Sequence, residues 1–175
     1  MQSQGRRLVL MRHAKAEPFA AADNERALTE RGRRDAVEAG LWLAAAGVEP
    51  DYALVSSAAR TTGTWEAMAH GLRSAAEVTF DEALYSAGPE TMLDTIRAVP
   101  IDATTVIVVG HNPTVAYLAH SLDDGTPDED AFREMSEGYP TAALTVLDVP
   151  VAWHEVGDAT CHITAFHVGQ GAGAG

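Results

Sequence analysis

The sequence predicts an α/β protein, a three-layer α/β/α sandwich with a mostly parallel central sheet, helices on both faces and a C-terminal antiparallel edge hairpin. Residues 8–11 and 105–109 form apolar runs of the kind found in strands that helices cover on both faces. Between such runs, apolar residues recur at spacings of three and four, which is typical of helices that cross over a parallel sheet. Two late strand-like segments with a short connection predict the hairpin.

Length, composition and cysteine content indicate one globular domain. The chain has 175 residues, 46% of them hydrophobic, and this size allows a buried core without disulfide or metal support. We expect a single domain over residues 1–168 and a disordered Gly/Ala tail over residues 169–175. The short basic N-terminus is not followed by a long apolar run, so we expect no signal peptide. The lone Cys161 cannot form an internal disulfide, which fits a reduced cytoplasm.

The net charge of −13 restricts the partners that the chain can bind. A sequence-independent nucleic-acid binder needs a basic face, so this charge argues against nucleic acid. No window of about 18 apolar residues could span a bilayer, so we expect no membrane partner. An acidic protein that binds an anion must do so in a local positive pocket. Arginines near strand ends are therefore informative.

The first predicted strand ends at Arg12 and His13. In open α/β sheets, ligands bind in the crevice beyond the carboxyl ends of the strands. The guanidinium fork of Arg12 suits phosphate or carboxylate, and His13 can act near neutral pH as a base, a nucleophile or a metal ligand. The pair therefore indicates anion chemistry. The loop of residues 14–27 could line the mouth of the same pocket.

The next two predicted elements are a helix and a second strand. Thr29 is a candidate N-cap of the helix and Gly47 its stop. The second strand, residues 52–55, leads into a serine-rich segment. If Ser57 caps the helix that follows, Arg60 lies in its first turn, where free backbone N–H groups and the helix dipole favour an anion. Arg60 could then reach the ligand at the first strand end.

A brief third strand at residues 78–80 is followed by two carboxylates. A carboxyl group in a partly dry pocket can have a raised pKa and serve as a general acid, which makes Glu82 a candidate for that role. Pro89 then suits the first position of a further helix.

The apolar run at residues 105–109 ends at His111, Asn112 and Pro113. Asn112 is a preferred N-cap and Pro113 a preferred first helical residue. This arrangement holds His111 immediately before a helix N-terminus, whose N–H groups favour a bound anion. Two strands therefore each end in a histidine, and the matching pair favours a shared site.

The rest of the chain predicts a solvated segment and the edge hairpin. Residues 123–137 are acidic and poor in core-forming side chains, which indicates a mobile excursion. Residues 143–149 and about 160–168 form the two hairpin strands. The histidines and the cysteine show no H-E-x-x-H or paired-cysteine spacing, so we expect no metal. A phosphate-binding loop with its lysine and a G-x-S-x-G elbow are also missing.

Four motifs together resemble the histidine phosphatase superfamily, which is also called phosphoglycerate mutase-like, and within it the SixA-like phosphohistidine phosphatases. In chain order, Arg12-His13 is similar to the R-H-G/A signature, residues 28–32 to the L-T-x-x-G helix start, residues 56–61 to the S-x-x-x-R-T segment, and residues 110–113 to the second-histidine motif. The resemblance extends over residues 8–149.

The resemblance implies a role for each candidate residue. His13 is the expected nucleophile that takes the phosphoryl group. Arg12, Arg60 and His111 would hold the phosphoryl oxygens, with Asn112 beside them in substrate binding. In larger members of the superfamily an acid after the third strand protonates the leaving oxygen, and Glu82 resembles that position. No metal or other cofactor is needed, because arginines and helix N-termini neutralise the charge of the transition state.

The implied activity is that of a metal-independent phosphatase with a covalent phosphohistidine intermediate and inorganic phosphate as product. Short connections around the site suggest an open cleft that admits a phosphorylated protein, which favours phosphohistidine as the substrate. A small phosphorylated metabolite, as an ester or an acyl phosphate, is the alternative substrate. Two further hypotheses for the function are a phosphate-binding regulatory module without turnover and a mutase.

Overall fold

A six-stranded sheet organises the chain, and the computed structural model describes residues 5–73 and 75–172. The strands are β1 Arg6–Arg12, β2 Tyr52–Ser56, β3 Glu77–Asp81, β4 Thr105–Gly110, β5 Ala143–Val149 and β6 His162–Val168. Their order across the sheet is β3-β2-β4-β1-β5-β6. The first four strands are parallel to one another, whereas β5 and β6 are antiparallel and form the edge pair. The predicted mostly parallel sheet with an antiparallel edge hairpin is therefore confirmed.

Among the described residues, five α-helices connect these strands. They are α1 Glu30–Ala45, α2 Ala59–Ala69, α3 Pro89–Arg97, α4 Thr114–Ser121 and α5 Glu129–Glu137, with one-turn 3-10 helices at Asp23–Glu25, Glu82–Leu84 and Trp153–Glu155. Within the described part of the chain, none of the helices has both the length and the apolar character needed to cross a membrane.

The side chains of β1 divide the core into two layers. Leu8 and Leu10 point to one face of the sheet and Val9 and Met11 to the other, because successive strand residues alternate between faces. The first layer includes residues of α3, α4 and α5: Met92, Ile96, Leu118 and Met135. The second includes residues of α1 and α2: Ala36, Leu43 and Met68. Helices thus cover both faces, and the predicted three-layer sandwich is confirmed.

Local sequence signals set several helix ends, but the N-cap of α4 is Pro113 and not the predicted Asn112, because the helix begins one residue later, at Thr114. The Thr29 hydroxyl accepts a hydrogen bond from the backbone N–H of Gly32 at 2.9 Å, as an N-cap does. Gly47 has a φ of 70°, the left-handed conformation that ends helices, and Pro89 is the first residue of α3. The prediction that Ser57 caps the second helix is wrong, because Ala58 occupies the cap position and provides no side-chain hydrogen bond.

The acidic segment is not a mobile excursion over its whole length, because α5 forms within it. The Asp128 carboxylate caps this helix by accepting a hydrogen bond from the N–H of Ala131 at 2.9 Å. Ala131 and Met135 are buried, and their spacing of four residues places both on one face of the helix. The acidic residues of the first turn favour the helix dipole. Two apolar residues at helical spacing therefore outweigh the acidic composition.

The beginning of the predicted Gly/Ala tail lies along α1. The backbone N–H of Gln170 donates to the Glu38 carboxylate at 3.1 Å, and that of Gly171 donates to Asp35 at 2.9 Å. Residues 173–175 and 1–4 lie outside the described residues. The predicted boundaries of the domain and of a disordered tail therefore stay predictions.

Gly40 allows α1 to pack closely on α2. A Cβ atom at this position would lie 2.2 Å from the carbonyl oxygen of Met68. We predict that Gly40→Ala lowers the free energy of unfolding by about 1–3 kcal/mol, because the two helices must separate. Urea denaturation measures this change. Gly5→Ala is the control, since no atom lies within 4 Å of the added Cβ. A midpoint raised by Gly40→Ala would contradict the close packing, because it would show that the helix preference of alanine over glycine, about 1 kcal/mol, meets no opposing cost.

Candidate active site

The parallel register of β1 and β4 brings two histidines to the same level at the carboxyl edge of the sheet. Arg12 pairs with Gly110 across these strands, so the residues that follow them, His13 and His111, lie side by side. Their ring centroids are 5.4 Å apart. The two strand-end histidines therefore lie together, as expected from the sequence.

His13 is oriented by its own backbone neighbour. Its Nδ1 lies 2.8 Å from the carbonyl oxygen of Ala14, which can only accept, so Nδ1 carries the hydrogen and Nε2 keeps a free lone pair. Burial, with a smaller contribution from the nearby Arg60 and Arg12 cations, lowers the pKa of His13 to about 4. The side chain is therefore a neutral imidazole near pH 7, with its basic nitrogen available.

His111 is held by a serine at the end of β2. Its Nε2 lies 2.8 Å from the hydroxyl oxygen of Ser56, and its Nδ1 is buried without a hydrogen-bond partner among the described residues. Burial lowers the pKa of His111 to about 4, with the Arg60 charge as the second cause. When the Ser56 hydroxyl donates to Nε2, Nδ1 carries the hydrogen and can donate to an anion.

Arg12 and Arg60 each keep one buried nitrogen without a partner. Arg12 donates from Nη1 to the carbonyl oxygen of Tyr139 at 3.0 Å, and its Nε is buried and unpaired within the described chain. Arg60 donates from Nη1 and Nη2 to Asp23, and its Nε is likewise unpaired. Buried polar atoms nearly always have partners, because an unpaired one costs about 1–3 kcal/mol. The two Nε atoms and the free nitrogen of His111 therefore indicate a place for an anion.

The other two predicted residues differ in their relation to this cluster. The Asn112 side chain donates to the carbonyl oxygen of Tyr139 at 3.0 Å and accepts from the N–H of Ala116 at 3.2 Å, so it supports the start of α4. Glu82 is exposed, and none of the described residues forms a hydrogen bond or an ion pair with its carboxylate. The structure therefore does not bring Glu82 into contact with the histidines, whereas Tyr85, three residues later, reaches His111.

Tyr85 and Asp23 are site residues that the sequence analysis missed. The Tyr85 hydroxyl donates to Asp23 Oδ2 at 2.5 Å, and the edge of its ring faces His111 at 5.7 Å between centroids. Asp23 also accepts from Arg60 Nη2 at 3.1 Å and from Arg26 Nε at 2.9 Å. The hydrogen bonds from Tyr85 and Arg26 lower the pKa of Asp23 to about 2. Its carboxylate is therefore ionised throughout the neutral range.

A weak sequence signal exists for two of the missed residues. Asp23 lies three residues before Arg26, a spacing at which opposite charges meet, within the loop predicted to line the pocket mouth. Ser56 belongs to the motif that contains Arg60. Nothing in the sequence singles out Tyr85.

The local charge is positive although the protein as a whole is acidic. Arg60, Arg12 and Arg26 all act on His13 in the direction expected for nearby cations. As expected for an acidic protein that binds an anion, positive charge is therefore concentrated at this strand end.

The described residues contain one cluster of possible metal ligands, formed by Asp123, Asp124 and His162. It lies at the far end of the sheet, because His162 pairs with Asp148, which in turn pairs with Arg7 at the start of β1. The cluster therefore takes no part in the histidine site.

Comparisons with known proteins agree with these observations. The model of the histidine phosphatase superfamily (branch 1) matches residues 8–87. An uncharacterised protein of Mycobacterium tuberculosis is 39% identical over 161 residues, covering 90% of this chain and 99% of that protein. A candidate phosphohistidine phosphatase SixA from Nakamurella multipartitia has a solved structure that is 34% identical, with a TM-score of 0.83 and coverage of 93% of this chain and 95% of that chain. A candidate SixA from Agrobacterium tumefaciens is 29% identical, with a TM-score of 0.75 and coverage of 94% and 98%.

The Ser56 hydroxyl is expected to set the tautomer of His111. We predict that Ser56→Ala lowers the free energy of unfolding by about 1–3 kcal/mol, because it leaves the buried Nε2 of His111 without a partner. Long-range ¹⁵N–¹H spectra of the imidazole should also show the hydrogen moving from Nδ1 toward Nε2. Ser57→Ala, at the exposed neighbouring serine, is the matched control. An Nδ1–H signal that persists in Ser56→Ala would contradict this role.

The depressed pKa of His13 can be measured directly. An NMR titration of its ring, assigned by the signal missing from His13→Gln, should have a midpoint near pH 4 rather than near 6.5. Between these pH values the unfolded chain binds the additional proton, so this residue makes the free energy of unfolding fall as the pH falls from 6.5 toward 4. A midpoint at or above 6.5 would show that the ring is solvated or paired with an anion.

Proposed function

Since this chain belongs to the histidine phosphatase superfamily, in its SixA-like branch, we propose that it removes phosphoryl groups by way of a covalent phosphohistidine on His13. One observation carries this proposal. A neutral histidine with a free Nε2 lies among three buried nitrogens that lack partners in the described chain, on Arg12, Arg60 and His111. A phosphoryl group offers three charged oxygens, and these nitrogens are suited to receive them.

Binding of the phosphoryl group is assigned to the two arginines and His111. The transition state of phosphoryl transfer is loose, and its charge spreads over the three equatorial oxygens. Cationic donors that are already in place stabilise that charge without reorganising, and they act strongly where water is excluded. Arg12 is fixed by the carbonyl oxygen of Tyr139, and Arg60 lies almost buried at the start of α2, so both donors are preorganised.

His13 acts as the nucleophile in this mechanism. The lone pair of Nε2 forms the new N–P bond in line with the departing group, while the hydrogen on Nδ1 stays bonded to the Ala14 carbonyl oxygen. That carbonyl stabilises the positive charge which the ring acquires. Water then attacks phosphorus, the N–P bond breaks, and its electron pair returns to Nε2. The products are inorganic phosphate and the starting neutral histidine.

The substrate class follows from the protonation states of the acids and histidines at the cluster: among the described residues, no protonated carboxyl group or histidinium is there to protonate a leaving group. Asp23 is ionised because its pKa is about 2, His13 and His111 are neutral because their pKa values are about 4, and Glu82 is exposed and outside the cluster. An alkyl ester, whose oxygen must be protonated as it leaves, is a poor substrate for such a site. A phosphoramidate leaves more readily, and we assign phosphohistidine on a protein as the substrate.

An acyl phosphate is the second candidate substrate, on the same observation. Its carboxylate leaving group also needs no proton, so the electrostatics of the site admit it.

We place the activity in the cytoplasm, since Cys161 is a free, buried thiol that burial keeps protonated by raising its pKa. A panel of phosphohistidine protein, acyl phosphate and sugar phosphates separates the substrate candidates and also reveals a mutase or a module without turnover.

Replacement of the nucleophile tests the mechanism. We predict that His13→Ala lowers kcat/KM on an aryl phosphate by about 1,000-fold or more and removes the acid-labile phosphoenzyme seen with ³²P-labelled substrate. His154→Ala, at an exposed histidine outside the cluster, should retain full activity and labelling. Turnover by His13→Ala within tenfold of the unmodified protein would disprove the covalent mechanism.

A further inference from the structure

Asp23 lies on the solvent side of the phosphoryl-binding cluster. The side chain of Arg60 is 8% exposed and that of Asp23, which binds it, is 55% exposed. His13 and Arg60 are both buried, so they lie at the floor of the site and Asp23 lies at its mouth. An in-line displacement by His13 expels the leaving group on the side away from the nucleophile. Asp23 is therefore the carboxylate on the leaving-group side.

The carboxylate of Asp23 has one position left for a further donor. Oδ2 accepts from Arg60 Nη2 and from the Tyr85 hydroxyl, and Oδ1 accepts from Arg26 Nε. Each carboxylate oxygen has about two acceptor positions, so Oδ1 keeps one that none of the described residues fills. The three donors come from the loop after β1, from α2 and from the segment after β3, and they hold the carboxylate in place.

The charge of Asp23 decides what that position can bind. Because the Tyr85 and Arg26 hydrogen bonds keep its pKa at about 2, the group accepts hydrogen bonds but has no proton to give. A leaving oxygen of an ester, which gains negative charge as it departs, would be repelled by the carboxylate there. A cationic N–H donor, by contrast, would form a charge-assisted hydrogen bond.

We propose that Asp23 binds the distal N–H of a phosphohistidine imidazolium and thereby selects imidazole as the leaving group. This inference rests on the proposed function and adds a specificity-determining residue to it. As His13 Nε2 forms its bond to phosphorus, the P–N bond of the substrate breaks and its electron pair returns to the substrate ring. The proton on the distal nitrogen stays there, so the group departs as neutral imidazole.

The two imidazoles of this transfer have matching requirements. The ring of His13 becomes a phosphoimidazolium, and its distal N–H is held by the Ala14 carbonyl oxygen. The substrate ring is a phosphoimidazolium before transfer, and its distal N–H needs an acceptor on the opposite side of phosphorus. Asp23 supplies that acceptor and, being anionic, keeps the substrate ring protonated. Without it the ring loses its proton more readily and would have to leave as an imidazolate anion.

The test compares two substrates across two variants. Phosphoimidazole carries the proposed leaving group, and p-nitrophenyl phosphate carries a phenolate that needs no cationic recognition. For Asp23→Asn we expect the ratio of kcat/KM for phosphoimidazole to that for p-nitrophenyl phosphate to fall by about 10- to 100-fold, the strength of a charged hydrogen bond. Glu25→Gln, at an exposed acid of the same 3-10 helix, should keep this ratio within about twofold.

The pH dependence of kcat distinguishes recognition of the imidazolium by Asp23 from a role of Asp23 that only holds Arg60 in place. The kcat for phosphoimidazole reports ionisations in the enzyme–substrate complex. We expect its alkaline limb to move to lower pH in Asp23→Asn, because the bound imidazolium loses the anion that raises its pKa. Circular dichroism and urea denaturation confirm that the variant is folded.

Each contrary result has a distinct meaning. If Asp23→Asn lowers kcat/KM equally for both substrates and leaves the alkaline limb of the pH profile unmoved, Asp23 only positions Arg60, and the inference is overturned. If Asp23→Asn raises kcat/KM for both substrates, Asp23 only competes with the phosphoryl group for Arg60, and the inference is also overturned. Failure of the unmodified protein to hydrolyse phosphoimidazole disproves the phosphohistidine function itself, and that result is known before any variant is tested.

Discussion

The parallel pairing of β1 with β4 is the constraint on which the site depends. Arg12 lies opposite Gly110, and this register puts His13 and His111 beside each other at one edge of the sheet. Both strands are buried on two faces by helices, so the register cannot slip without exposing core side chains. β2 lies next to β4 and brings Ser56, and with it the start of α2, to the same edge.

Exclusion of water gives this strand end its chemical character. Burial keeps both histidines neutral, which suits His13 to the nucleophile role we propose and His111 to the role of a hydrogen-bond donor. The same burial leaves the Nε atoms of Arg12 and Arg60 without partners, a destabilising arrangement in the free protein. A phosphoryl group that satisfies these donors recovers the lost hydrogen bonds. In the proposed mechanism, stability given up at the site becomes affinity for the phosphoryl group and for its transition state.

The sequence predicted what regular structure determines. Strand ends follow from apolar periodicity, and parallel topology collects them at one edge, so Arg12, His13, Arg60 and His111 could be identified without coordinates. Contacts made by irregular segments could not be predicted. Tyr85 reaches the site instead of Glu82 because of the direction of a single 3-10 turn, which no sequence pattern determines.

Composition also failed to predict secondary structure where the apolar periodicity was weak. The acidic segment contains only a short apolar repeat, too short to stand out against its charges, yet that repeat packs α5 onto the sheet. Loop residues 14–27 were expected at the pocket mouth, but the closure of Asp23 onto Arg60 depends on three hydrogen bonds between distant parts of the chain. Such contacts exist only once the tertiary structure has formed.

A crystal structure with orthovanadate tests the central claim most directly, because vanadate adopts the geometry of phosphoryl transfer. The account predicts vanadium bonded to Nε2 of His13, with its oxygens within hydrogen-bond distance of Nε of Arg12, Nε of Arg60 and Nδ1 of His111. Vanadate bonded to another residue, or bound at this edge without contact to Nε2 of His13, would contradict the assignment of His13 as the nucleophile.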